Sequence, residues 1–284
     1  ILAAAFTFLL LRDKGLSRAA AVLGGLAFGL SDLFVTHIGN LNLSATIAYL
    51  PAVVMLADRA FIRHSLGWAA GAGAVLAVGA LAGHGQMLLF LGLSLALLGL
   101  YRAACASHAG VGAIARILGL AAVTALVGIV GAAVVLYPAY ELTGHSMRAG
   151  GLSYEEATRF SLPWRALVGL VAPRFYGRGS HAFWGAWDRV EVGYLGVLPL
   201  ALAFAALTPR DKGEPATRFP APFFAILALA GLVLALGGNT PLYRVVHRLP
   251  LFSGLRAPGR FTGLVSFALA ALAAQALDRL PGSR

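Results

Sequence analysis

The chain has 284 residues, of which 59% are hydrophobic and only 12% charged. A soluble domain carries about 25% charged residues, so this chain cannot cover a water-facing surface and falls in the membrane class. Its formal net charge of +11 comes without a Lys/Arg-rich run or an aromatic stacking platform, which argues against a nucleic-acid partner and for anionic lipid headgroups or phosphate-bearing substrates.

Residues 1–11 are apolar but too short to span, and they lack the charged start and cleavage site of a signal peptide. They read as the tail of a helix that begins upstream of Ile1, so the chain is expected to be a piece of a longer protein. About 20 apolar residues cross the roughly 30 Å of bilayer hydrocarbon as a helix. Full spans are expected near 18–37, 43–58, 67–83, 86–102, 113–137, 192–208, 219–237 and 260–278. The fold class is therefore an all-α polytopic membrane protein. It is one transmembrane domain over 1–284, with about eight full helices, one partial N-terminal helix and short interfacial helices on the outer face.

The breaks between spans sort by charge. Arg12, Lys14 and Arg18 fill the first, Arg59 and Arg63 the third, Arg102 and Arg116 the fifth, and Arg210, Lys212 and Arg218 the seventh; Arg279 and Arg284 follow the last span. The short alternate breaks, 38–42 and 83–86, contain no Lys or Arg. Basic residues collect in cytoplasmic loops, which puts loops 138–191 and 238–259 outside the cytoplasm and the C-terminus inside. The pairs Gly25/Gly29, Gly67/Gly71 and Gly79/Gly83 read as places where helix backbones approach closely. Cys105 is the single cysteine, which rules out an internal disulfide. Abundant Ala, Gly and Arg suggest a GC-rich bacterial genome.

Both outer loops are rich in polar and aromatic residues. Loop 138–191 runs from Tyr140 and Glu141 past His145, Arg148, Glu155 and Glu156 to Asp188 and Glu191. Within it Ser161 reads as a helix N-cap and Pro163 as an early helical residue. Trp164, Leu167, Val168 and Val171 then form a stripe suited to the interface. In loop 238–259 a short helix after Pro241 is expected to bury Leu242, Val245, Val246 and Leu249 and to present Arg244, His247 and Arg248. Pro258 disfavours a helical Ala257, so the last span should start there with Arg260 in its first turn. A helix N-terminus flanked by Arg256 and Arg260 can grip a phosphate; lipid headgroups are the alternative ligand. Asp32 and His37, near the outer end of their span, are functional candidates as intramembrane ionisable groups, and His84 and Gln86 sit in a turn too short to be an idle linker. The histidines show no metal-ligand spacing. No cofactor is evident, and participation of a divalent cation stays open.

Several stretches resemble YfhO-type bacterial membrane proteins, which are themselves similar to GT-C glycosyltransferases. They are Leu50-Pro51 after Gly39-Asn40, the Gly83-His84-Gly85-Gln86 turn, Tyr137-Pro138 through Ser146-Met147-Arg148, residues 193–199, and residues 255–261. The resemblance implies a multi-pass protein of the bacterial cytoplasmic membrane. It would take sugar from a polyprenyl-phosphate-linked donor and pass it to a cell-envelope glycan or lipid acceptor, with the usual catalytic acid upstream of Ile1. Within this chain the residues suggest Arg256 and Arg260 for the phosphate, then Arg148, Arg244 and Arg248. Glu141, followed by Asp188 and Glu191, is the choice for the proton-accepting carboxylate. A transporter or flippase of lipid-linked or anionic solutes, or a non-catalytic assembly subunit, is the alternative function.

Overall fold

The computed structural model describes residues 1–146, 150–177, 192–208, 219–249 and 252–280, and every regular element among them is helical. The helices are α1 (Leu2–Asp13), α2 (Arg18–Gly29), α3 (Asp32–Thr36), α4 (Leu41–Ala48), α5 (Leu50–Arg63), α6 (Leu66–Leu81), α7 (Gly85–Cys105), α8 (Val111–Gly131), α9 (Ala133–Gly144), α10 (Tyr154–Thr158), α11 (Val197–Ala205), α12 (Ala221–Leu236), α13 (Leu242–His247) and α14 (Thr262–Arg279). Six stretches are long and apolar enough to cross a membrane: Arg18–Thr36, Leu41–Arg63, Gly85–Cys105, Val111–Gly131, Ala221–Asn239 and Pro258–Arg279. The chain is thus a multi-helix protein of membrane-embedded character.

α6 has 16 residues, close to the extent expected for 67–83, but α11 has only 9 where 192–208 was expected to span. For α11 the local chemistry explains the loss: Gly193 and Gly196 take positive φ (76° and 107°), and the segment 192–196 runs as non-helical backbone. Such backbone needs internal partners where water is scarce. Asp32 supplies two of them, its carboxylate accepting from the Val192 N–H (2.8 Å) and its own N–H donating to the Tyr194 carbonyl (2.8 Å). Ser266 donates to the Gly193 carbonyl (3.3 Å). The expected span 113–137 instead divides at Ala132 into α8 and α9, and the helix carries Pro138 onward to Gly144.

At the centre lies α14, buried along nearly its whole length and packed by α2, α11 and α12. Its run of Ala268, Ala270, Ala271, Ala273, Ala274 and Ala276 lets neighbours come close on all sides. A Cβ on Gly24 would sit 3.0 Å from that of Ala274. Of the three glycine pairs, Gly25 and Gly29 do lie against the backbone of Ala4 in α1. Gly67 and Gly71 face open space, and only Gly79 of the last pair makes a tight contact, against Tyr49 and Leu91.

One end of the bundle gathers the described basic residues of the breaks at 12–18, 59–63 and 102, whereas Arg210, Lys212, Arg218 and Arg284 lie outside the described residues. Lys14, 3% exposed, bridges Asp13 (2.8 Å) and Asp58 (2.6 Å). Arg59 pairs with Asp13 at 2.6 Å, and Arg102 grips both oxygens of Asp58 at 2.6 and 2.9 Å. This network ties α1, α5 and α7 together. Nearby, the Ser17 N–H donates to Asp278 (2.8 Å), and Arg279 donates to the Ala206 and Thr208 carbonyls (both 3.3 Å). Breaking a buried ion pair by removing one partner costs about 3–5 kcal/mol. Asp58→Asn should therefore lower the thermal stability of the detergent-purified protein by about that amount, and adding Lys14→Met should restore part of it; an unchanged melting temperature in the single variant would remove the network from the account of stability.

Candidate functional site

At the opposite end, the turn between α6 and α7 meets the start of α14. Gly83 turns the chain with φ 78°, and His84 caps α7 by accepting from the Met87 N–H at 3.3 Å. Gln86, 7% exposed, then reaches across to the other segment. It donates to the Ala257 carbonyl (3.1 Å) and accepts from the Arg260 guanidinium (3.3 Å). Ala257 is held at φ 65°, the left-handed region that costs a non-glycine residue about 1–2 kcal/mol. A tight 3₁₀ turn, Pro258–Phe261, follows before α14 begins. The expected break at Ala257 and the early position of Arg260 are both present, although the first turn is 3₁₀ rather than α.

Segments from the loops 138–191 and 238–259, with the end of α12, build the rim by packing on each other. The Gly259 N–H donates to the Phe160 carbonyl (2.9 Å), Leu162 N–H to Ala235 (2.8 Å), and Leu152 N–H to Ser253 (2.8 Å). Ser161 does not cap the following helix. Its hydroxyl donates to the Thr158 carbonyl and accepts from the Gly238 N–H, a close seat that a side chain at Gly237 would fill. The segment Trp164–Leu170 is a 3₁₀ helix, so its inward residues recur every three positions as Ala166 and Gly169 while Trp164 and Val171 face out.

Between these segments lies a cavity of about 360 Å³, lined by Gly83, His84, Gly85, Gln86, Phe160 and residues 254–257 and 260. Arg256 is exposed, with its guanidinium 5.4 Å from the centre of the Phe160 ring. Burial first, then the positive charge of Arg260, hold His84 below its ordinary value, and His37 adds a smaller push in the same direction. Glu156 stands on the same side of the molecule. Hydrogen bonds from Ser153 in a capping box, with Arg256 nearby, hold its carboxyl below the usual range. No protein family model matches this chain, and no curated protein or solved structure is similar to it.

The structure thus brings together four of the residues singled out in the sequence, Arg256, Arg260, His84 and Gln86, with His37 close behind. His37 is buried, its Nδ1 3.0 Å from the Leu33 carbonyl. Asp32 serves the backbone clamp on 192–194 and does not line the cavity. Arg244 on α13 and Arg248 just after it are exposed and also stay out of the cavity. That helix is turned from its expected orientation. Tyr243 is the side chain it buries, with Val246 and His247 half-buried, whereas Leu242, Val245 and Leu249 are exposed. His247 fixes the orientation by its contact with the Leu152 carbonyl (3.0 Å) and an edge-on ring contact with Tyr154. Glu141 and Tyr140 project from α9, which has no buried residue, and do not reach the cavity; His145 follows as the end of that helix. Arg148, Asp188 and Glu191 lie outside the described residues. Among the described residues no group of three His, Cys, Asp or Glu is placed to hold a metal ion. Phe160 went unrecognised in the sequence because it carried no signal; Glu156 was noted in the loop without a role, and the Ser153-x-x-Glu156 spacing of a capping box could have revealed its place.

The strain at Ala257 gives a direct test. Ala257→Gly should leave stability unchanged or raise it by up to about 1 kcal/mol, whereas Ala257→Val, with a β-branched side chain at positive φ, should lower it by more than about 1 kcal/mol. Thermal unfolding of the two purified variants reads both signs; a stabilised valine variant would mean the turn is not strained as described.

Proposed function

We propose that this protein is an integral membrane glycosyltransferase-like enzyme. In this reading it moves sugar from a polyprenyl-phosphate carrier to a glycan or lipid acceptor of the cell envelope. The cavity holds the carrier phosphate, with Arg256 and Arg260 supplying the charge and Gln86 fixing Arg260. The observation that supports it best is the convergence of two guanidinium groups, a histidine and a buried amide, from separate segments, over one cavity at the end opposite the basic breaks. A phosphate leaving group needs preorganised cations where its charge develops, and arginine meets phosphate in a bidentate fork.

The topology completes the proposal. The basic end, with Lys14, Arg59 and Arg102, and the C-terminus face the cytoplasm of a bacterial inner membrane, and the cavity faces outward. α6 and the 192–208 segment complete eight crossings, and the 3₁₀ segment Trp164–Leu170 and α13 rest at the outer interface with apolar side chains toward lipid. Glu141 and Glu156 are the described carboxylates available on that side to accept the acceptor's proton, alongside Asp188 and Glu191. We assign no metal to the site.

The decisive measurement is sugar transfer in membranes containing the full-length protein and a polyprenyl-phosphate sugar. Arg256→Ala and Arg260→Ala should each reduce transfer by about 100-fold without loss of insertion. Arg256→Lys should fall between, since lysine keeps the charge and loses the fork. Transfer unaffected by both alanine variants would reject the phosphate role, and flux of a lipid-linked solute with no glycosidic product would move the assignment to transport.

A further inference from the structure

The corner between α5 and α6, at the basic end of the bundle, holds a cation that the ion-pair network does not use. α5 closes on His64 in the left-handed region (φ 50°), and the Ser65 N–H donates back to the Ala60 carbonyl (3.1 Å). Ser65 then caps α6 by accepting from the Trp68 N–H (3.4 Å). This tight turn sets the Trp68 indole beside the last turn of α5. The Arg59 guanidinium lies 4.7 Å from the centre of the Trp68 ring, and that of Arg63 lies 5.6 Å from it. The two cations differ. Arg59 is half-buried and answered by Asp13 at 2.6 Å. Arg63 is exposed, and its guanidinium makes no hydrogen bond or ion pair among the described residues; its described contact is Trp68. The indole N–H of Trp68 likewise has no hydrogen-bond partner among the described residues.

The depth of this corner is set by the helix that leads into it. Leu41–Arg63 is one of the stretches long and apolar enough to cross a membrane, and Arg63 is its last residue. The guanidinium therefore lies where hydrocarbon gives way to headgroups, the level that tryptophan also favours. Ile62 and Leu66, on the two sides of the turn, are 52% and 65% exposed. Gly67 and Gly71 leave the space along the outer face of α6 open.

We propose that this corner binds an anionic phospholipid, whose phosphodiester meets the Arg63 fork and the Trp68 indole N–H while its acyl chains lie over Ile62 and Leu66. The proposal is independent of the phosphate reading of the cavity. Two guanidiniums on one indole repel each other, and an adjacent anion offsets that repulsion. Contact with the ring restrains the Arg63 side chain yet leaves N–H groups at its edge to receive two phosphate oxygens. A phosphodiester brings one negative charge to one unanswered guanidinium. A zwitterionic lipid brings its own cation to the same place and gains less. Exposed isoleucine and leucine give nothing to a soluble anion, so the geometry favours a phosphate that carries hydrocarbon. Because Arg59 is shared between Trp68 and Asp13, the occupant adjoins the network that ties α1 to α5.

The test titrates the detergent-purified whole chain with dioleoylphosphatidylglycerol, dioleoylphosphatidylcholine or glycerophosphoglycerol, which is the anionic headgroup without chains. Native mass spectrometry counts the bound molecules and gives each affinity. The first phosphatidylglycerol should bind about fivefold more tightly than the first phosphatidylcholine, the gain expected of one basic residue at a membrane surface. Arg63→Ala should abolish that preference, and Arg63→Lys should keep it while weakening the anionic lipid, since lysine retains charge and loses the fork. Trp68→Phe keeps a ring for the arginines but removes the donor. It should weaken both lipids alike by about threefold, the worth of one hydrogen bond, and leave the preference in place. Arg18, exposed at the start of α2, is the control for unspecific charge, because α2 packs on α1 and α14 and not on α6; Arg18→Ala should change nothing. A preference that survives Arg63→Ala, that is lost equally in Arg18→Ala, or that is absent in the wild type overturns the site. Unaltered affinities in Trp68→Phe overturn the indole donor. Binding of glycerophosphoglycerol as tight as that of the lipid overturns the assignment to a lipid.

Discussion

The Gln86 side chain joins two segments more than 170 positions apart, both of which line the cavity. One buried amide donates to the carbonyl of Ala257 and accepts from Arg260. A primary amide suits this place because it offers a donor and an acceptor on one planar group; a carboxylate could accept from Arg260 but could not donate to the carbonyl. The left-handed conformation of Ala257 turns its carbonyl to meet that donor, and backbone strain of this kind persists only where the surroundings over-determine it. Here they do: Pro258 follows, and the Gly259 N–H is taken by Phe160. The turn at 83–86, the start of α14 and the strap around Phe160 thus define one another.

The packing of the bundle explains why that junction can be exact in position. α14 presents alanine on most faces, so its neighbours come close enough for backbone and side chain to share bonds. Ser266 reaches the Gly193 carbonyl, and a Cβ at Gly193 would meet Thr262. Asp32 completes the seat from the far side. An ionisable residue inside a span is a functional candidate by default, and in this chain Asp32 satisfies the non-helical backbone at Val192 and Tyr194.

Much of the architecture could be read from the sequence, because hydropathy and charge act over 15 to 20 residues and tolerate local error. The six long spans and the gathering of the described basic residues at one end came through on that scale. The breaks within spans did not. The loss of helix over 192–196 depends on two glycines whose positive φ is chosen by Asp32, a residue 160 positions away, and no window contains both. The rotation of α13 had the same origin. Its apolar stripe predicted burial of Leu242, Val245 and Leu249, the rule for a helix facing a water-surrounded core. Next to a lipid phase an apolar face can point outward, and the buried positions went to Tyr243 and to the bonded His247. For the site, Arg256, Arg260, His84 and Gln86 were each marked by being polar in short breaks, yet their meeting was invisible until the fold brought the breaks together. Phe160 gave no sign at all, since one aromatic among many near an interface is unremarked.

The two ends of the molecule treat positive charge in opposite ways, and this contrast carries the functional argument. At the basic end Lys14, Arg59 and Arg102 are each answered by Asp13 or Asp58 within 2.9 Å, so their charge is spent on holding helices. At the other end Arg256 makes no ion pair among the described residues and lies over an aromatic face, which leaves its N–H fork available at its edge. Its described contacts are the Phe160 ring and the charge of the nearby Glu156 carboxylate. The cavity beside it, of about 360 Å³, has room for an anion from outside the protein.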